Sequence, residues 1–175
     1  MSVIKVNQIQ TANGVIMANL NSSGANIGFQ LASSLAPAFS AYTNSTTQSV
    51  SVTTCTQITF ALEEFDTNSN FASSRFTPTV AGYYQIIGEV CFGGFSSAGL
   101  VIPMVYKNGA RFKDGNAATF DSSDGSFSSV NTLVYFNGST DYVELYVFHR
   151  GSATRDLNVN DPARLYFQGF FVRSA

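Results

Sequence analysis

The chain carries one histidine, His149, and two cysteines, Cys55 and Cys91. A nucleophile of the serine or cysteine type needs a base and an orienting group beside it. His149 is the only imidazole able to serve as that base, and no Gly-x-Ser-x-Gly turn exists for it to serve. It lies between Phe148 and Arg150-Gly151, which reads as a strand-end or surface position. Zinc needs more His and Cys than this chain supplies. The cysteines lack Cys-x-x-Cys spacing and read as small hydrophobes in a reduced chain, with a bridge open should their strands be neighbours. Asp114, Asp121, Asp124, Asp156 and Asp161 lie in loops. Their oxygens suit calcium, but no EF-hand spacing occurs, so solvated carboxylates and no cofactor are the expectation. Glu63-Glu64 and Asp66 come nearest to a glycosidase carboxylate pair. They end a strand before a Ser/Asn-rich loop, where solvation explains them. These residues point away from an enzyme.

The elements around them read as β-strands. In Phe76–Phe92, Tyr84, Ile86, Val90 and Phe92 share one parity with Gly88 between them, and Gln85 and Glu89 take the other. That period of two marks a strand with one buried side. Pro78 and Gly82 mark the turn before it. Val50, Val52, Ile58, Phe60 and Leu62 share a parity, as do Leu100, Ile102, Met104 and Tyr106. Pro103 in the second set predicts an edge strand or bulge. Asn108-Gly109 and Asn137-Gly138 are hairpin signals. The second joins Val130–Phe136 to Tyr142–Phe148 and predicts a hairpin of those two strands. The last strand spans Leu165–Val172. No helical period intervenes, so the expectation is an antiparallel all-β sandwich, of which a jelly roll is the standard form.

Composition agrees. The chain has 175 residues, enough for one domain and an appended segment. Its 16 Phe and 8 Tyr suit half-buried pleated surfaces. Charged residues make up 11%, against roughly 25% in ordinary soluble proteins, which predicts surface that faces another chain. The net charge of −2, with no basic stripe, argues against nucleic acid. No apolar run is long enough for membrane insertion. Lys5 is followed by Val6-Asn7-Gln8-Ile9-Gln10 rather than an apolar core, so no secretion signal is expected. Residues 1–36 are too apolar for a plain linker and too short for a core. They read as an attachment arm, with Val3, Ile4, Val6, Ile9, Val15 and Ile16 as its anchors. Residues 37–175 read as one β domain.

Four fragments in order carry a resemblance. They are Pro37-Ala38-Phe39-Ser40-Ala41; Phe65-Asp66 through Phe76-Thr77-Pro78 to Gly82-Tyr83-Tyr84; Lys107-Asn108-Gly109; and Phe167-Gln168-Gly169-Phe170-Phe171-Val172. Residues 37–175 thereby resemble the globular head domain of complement C1q and its tumour-necrosis-factor-like relatives. The pattern departs from that family at Gly138-Ser139-Thr140-Asp141, and no collagen stalk precedes it. The resemblance implies a ten-stranded C1q/TNF-like jelly roll that assembles as a homotrimer. It makes Phe39, Tyr83, Tyr84, Tyr142, Tyr146, Phe148, Phe167 and Phe170 candidates for the core or the trimer axis. Ser2–Gln10 followed by Asn13-Gly14 resembles the leader of tailed-bacteriophage virion proteins, cyanophage and marine-phage fibre proteins above all. That likeness implies a virion structural protein: a fibre or decoration knob joined to other virion proteins through residues 1–36, meeting a host-surface receptor or glycan. The alternative is a soluble extracellular C1q/TNF-type ligand-binding module.

Overall fold

The computed structural model describes residues 8–10, 16–19, 36–43, 47–93, 98–120, 126–157 and 163–175. The chain divides into two units, Met1–Ala36 and Pro37–Ala175. In the first, β1 (Gln8–Gln10) pairs antiparallel with β2 (Ile16–Asn19), so Ile9 faces Ala18 and Gln10 faces Ile16 across the ladder. Val3, Ile4, Val6 and Val15 lie outside the described residues.

The second unit is a sandwich of two antiparallel sheets with no helix among the described residues. One sheet has five strands in the order β13 (Ser126–Phe136), β9 (Gly82–Phe92), β16 (Tyr166–Arg173), β3 (Ala38–Tyr42) and β6 (Leu62–Asp66). The other, of seven strands, runs β11 (Ala110–Asp114), β10 (Gly99–Lys107), β14 (Val143–Arg150), β8 (Arg75–Phe76) and β7 (Phe71–Ala72). Within it β12 (Ala118–Phe120) also pairs with β10, and β5 (Thr56–Gln57) with β14. A short ribbon joins β4 (Ser49–Val50) to β15 (Arg155–Asp156).

The alternation in β9 is as the sequence predicts: Tyr84, Ile86, Gly88, Val90 and Phe92 face inward. Facing them from the other sheet, Val143, Leu145, Val147 and His149 of β14 are buried. The core holds a cluster of aromatic rings among its aliphatic side chains. Phe39 stacks on Phe76 with ring centroids 4.3 Å apart and on Phe71 at 4.9 Å, and Phe167 meets Phe39 edge-on at 5.1 Å. Such pairs add about 0.5–1.5 kcal/mol each beyond the area they bury. Tyr84 meets Phe76, Phe136 and Phe171 edge-on and donates its hydroxyl proton to Val80 O at 2.8 Å. Burial pushes that phenol up to about 12. Gly82 opens β9 rather than forming the turn before it. At φ 153° its missing Cβ makes room for Arg173 O, which a side chain would meet at 2.5 Å.

Three local expectations are corrected. Asn137-Gly138 does not close a hairpin: β13 pairs with β9 and β14 pairs with β10, so this loop crosses between the sheets. Its Asn137 side chain accepts from the N–H groups of Ser139, Thr140 and Asp141, an Asx-type turn that gives Asn-Gly a different use. Asn108-Gly109 does close one, with φ 53° and 77° and Lys107 opposite Ala110, a type I′ geometry. The stretch from Val50 to Leu62 is broken into β4, β5 and the start of β6, and Leu62 is exposed. In β10 the inward residues are Val101, Pro103 and Val105, and the strand has neighbours on both sides. Pro103 is tolerated because it falls between the β12 and β11 ladders. Its carbonyl accepts from Gly115 N, so its proton-less nitrogen points into the same gap.

Candidate functional site

Two surfaces stand out, one on the outward face of each sheet. The first is apolar. On the five-stranded sheet the residues opposite the core parity are Leu62 and Phe65 of β6, Tyr83 of β9, Phe127, Leu133 and Tyr135 of β13, and Phe170 of β16. All are exposed, Phe127 by 57% and Phe170 by 48%. Register gathers Leu133, Phe170, Tyr83 and Tyr135 into one patch, with Phe65 beyond Ser40 and Gln168 on one side and Phe127 beyond Asn131 and Ser129 along β13. Leu133 and Phe170 both flank Gln85, Tyr135 lies beside Tyr83, and Phe65 flanks Ser40. The Tyr83 and Tyr135 rings lie 5.5 Å apart. Acidic groups here are few and held. Glu64 accepts from the Ser40 hydroxyl at 2.8 Å. Burial pushes the Glu89 carboxyl above the usual range, opposed by Arg164 and the Tyr166 hydroxyl.

The second surface is polar. On the outward side of the seven-stranded sheet, Glu144 of β14, Arg75 of β8 and Gln57 of β5 form the floor of an open cavity of about 500 Å³. The Glu144 side chain is 4% exposed. Its Oε1 accepts from Arg75 Nη2 at 2.8 Å, Arg75 Nε at 3.0 Å and Gln57 Nε2 at 3.2 Å. The Arg75 guanidinium also lies 3.7 Å from the centre of the Tyr142 ring, which fixes its plane. The hydrogen bond to Glu144 holds the Arg75 pKa above its ordinary value. The rim comes from the β7–β8 turn and the loop before it, where Ser69, Ser73 and Ser74 take φ of 53°, 52° and 62°. Asn70, buried beneath, ties this loop to the next segment: its Oδ1 accepts from Thr79 N at 3.2 Å and its carbonyl from Thr77 N at 2.8 Å.

The aromatics singled out from the sequence separate into three places. Phe39, Tyr84 and Phe167 are core. Tyr83 and Phe170 lie on the exposed apolar face. Tyr142, Tyr146 and Phe148 are half-buried on the side of the other sheet. Tyr146 stacks on Tyr106 at 3.9 Å. The chemistry-bearing residues do not converge. His149 is fully buried rather than at the surface, with Nε2 2.9 Å from Val50 O and its ring against Phe92. Neither thiol is in a disulfide: Cys91 is buried in β9, and burial, then the neighbouring Cys55, pushes the Tyr106 phenol up to about 12. Asp66 shapes a turn, accepting from Phe71 N at 2.7 Å. Asp114 pairs with Arg111 and Asp156 accepts from Ser49, while Asp121, Asp124 and Asp161 lie outside the described residues. Among the described residues no three His, Cys, Asp or Glu gather as metal ligands. The Arg75–Glu144 floor escapes sequence reading. Its only trace is an acid inside the apolar run Val143–Phe148, and nothing local links it to Arg75.

No protein-family model and no curated protein matches the chain. Solved structures do. The globular domain of zebrafish complement 1qA superposes with a TM-score of 0.56 at 17% identity, over 79% of this chain and 98% of that one. Murine APRIL gives 0.58 at 8% identity over 78% and 99%. Eiger TNF from S. frugiperda gives 0.55 at 9% identity over 81% and 94%. At these identities the likeness is one of fold: the chain has the C1q/TNF-like jelly-roll architecture that the four sequence fragments suggest.

Proposed function

We propose that residues 37–175 form a binding knob, not an enzyme, that assembles as a homotrimer through the outward face of the five-stranded sheet. The observation that carries this reading is the apolar face from Leu62 and Phe65 across Phe170 to Leu133, Tyr135 and Phe127. A monomer would hold these side chains in water, whereas exposed apolar side chains gathered on one sheet face are what an interaction surface supplies. The low charge of the chain, 11%, fits a surface partly covered by copies of itself. Threefold association is what the C1q/TNF resemblance adds. A module of that type binds a ligand outside cells through the surfaces that assembly leaves open.

A second reading places the same knob on a bacteriophage particle. The leader Ser2–Gln10 with Asn13-Gly14 favours it. Residues 1–36 would then attach the knob to a tail, neck or capsid protein, and the protein would reside in the virion. The knob would meet a host receptor or glycan.

Mass measurement of the purified chain tests the shared claim. A trimer is expected, and a stable monomer at micromolar concentration would overturn it. Deleting residues 1–36 separates the two placements: the virion reading expects a folded knob that no longer joins particles, and unchanged incorporation would refute the arm.

A further inference from the structure

The polar cavity on the seven-stranded sheet has a use that the apolar face does not explain. All three hydrogen bonds to Glu144 end on Oε1, which leaves Oε2 as an acceptor for whatever enters the cavity that Glu144 lines. Arg75 is held in the plane of the floor by Glu144 on one side and the Tyr142 ring on the other. A paired, oriented floor of this kind needs no rearrangement to receive a ligand. Among the described residues, the hydroxyls of Ser69 and Ser73 on the rim take no protein partner. Ser73 is the first residue of the two-residue turn between β7 and β8, where positive φ at both central positions is the ordinary hairpin geometry, and both Ser69 and Ser73 are exposed on the rim. The volume of about 500 Å³ falls within the range of small-molecule sites.

Charge selects the ligand class. Glu144 and Arg75 cancel, so an anion meets the carboxylate and a cation meets the guanidinium. An apolar ligand would cover the Ser69 and Ser73 hydroxyls and Glu144 Oε2 without giving them partners. What remains is a neutral molecule that donates and accepts through several hydroxyls. We propose that this cavity is a binding site for a neutral sugar unit, with Glu144 Oε2 accepting from, Arg75 donating to, and Ser69 and Ser73 exchanging hydrogen bonds with its hydroxyls. This rests on the reading of the knob as a binding module but not on its trimeric state.

Saturation-transfer NMR on the full chain tests it, with glucose, galactose, mannose and N-acetylglucosamine as probes and glucose 6-phosphate as the charged comparator. Transfer to at least one neutral sugar, and not to the phosphate, is expected. Ala72→Trp fills the cavity from an exposed position beside Arg75 and should weaken that binding at least about tenfold. Glu144→Gln should weaken it likewise. Because Glu144→Gln disturbs a buried pair, Ala72→Trp, with its near-ultraviolet circular dichroism checked against the parent, decides the matter should the other variant unfold. Absence of transfer from every sugar, equal binding of the phosphate, or undiminished binding by folded Ala72→Trp would overturn the proposal. Mass measured on the same samples keeps the two claims apart. A trimer that binds no sugar refutes the site alone, and a monomer that binds sugar refutes the assembly alone.

Discussion

Gly138 and Asp141 show how single residues hold the loop between the sheets. Gly138 has φ 73°, and a Cβ there would lie 2.5 Å from Ala81 N, against backbone that cannot swing away. Gly138→Ala should therefore cost about 1–3 kcal/mol, read as a lower urea midpoint with an unchanged slope. Asp141 accepts from Asn108 Nδ2 at 2.8 Å and Asn137 N at 3.1 Å, and pairs with Lys107 Nζ at 3.0 Å. The Asn108 hydrogen bond, then those from Lys107 and Asn137, hold its carboxyl below the ordinary aspartate value of 3.8. A depressed acid contributes stability that is complete above its unfolded pKa and is lost as pH falls through the lower folded one. Asp141→Asn should thus cost about 1–2 kcal/mol near neutrality. The gap from the parent should begin to close as pH drops below 3.8 and vanish beneath the folded pKa; a pH series of unfolding curves measures it. Legibility at this scale is uneven. Asn-Gly is visible as a turn signal, but Asn137-Gly138 and Asn108-Gly109 look alike in sequence. They differ because the strands flanking Asn108-Gly109 pair with each other, whereas those flanking Asn137-Gly138 pair with β9 and β10 in opposite sheets.

Among the elements, the strands whose two faces meet different surroundings are the ones that sequence describes well. Strand β9 has core on one side and the outward face on the other, so its alternation is unambiguous. Strand β10 is harder to read: Leu100 and Ile102 on its outward parity are as apolar as Val101 and Val105 within, and alternation alone does not choose between them. An aromatic stack joins the two sheets. Phe39 of β3 reaches Phe76 of β8 and Phe71 of β7, strands of the opposite sheet. Phe39→Ala should lose about 3–5 kcal/mol, since the stacked rings around it cannot collapse into the space. Thermal unfolding followed by far-ultraviolet circular dichroism would show it as a large drop in midpoint. A loss under about 1 kcal/mol would mean that the stack is not what couples the sheets.

For the whole molecule, the apolar outward face of the five-stranded sheet yields a test of the proposed trimer. Leu133→Glu together with Phe170→Glu places two carboxylates on the proposed interface and none in the core. The pair should turn the trimer into monomers, seen by light scattering, while the far-ultraviolet spectrum stays that of the parent. A trimer that persists would assign assembly to another surface. The sequence by itself determined that this is an antiparallel β protein with an aromatic interior, because period-two alternation and Asn-Gly turns act over a few residues. Its ordered fragments also led to the jelly roll. The tertiary structure alone decided which apolar residues of β10 are core and which lie outward. Leu100 and Val101 are adjacent and equally apolar, and only the packing of the paired sheet buries Val101 among the core residues and leaves Leu100 on the other face. It alone brought Arg75, Gln57 and Glu144 to one floor, since they come from separate strands that meet only when the sheet forms. Long-range pairing is set by the packing of the whole chain, which no local pattern encodes.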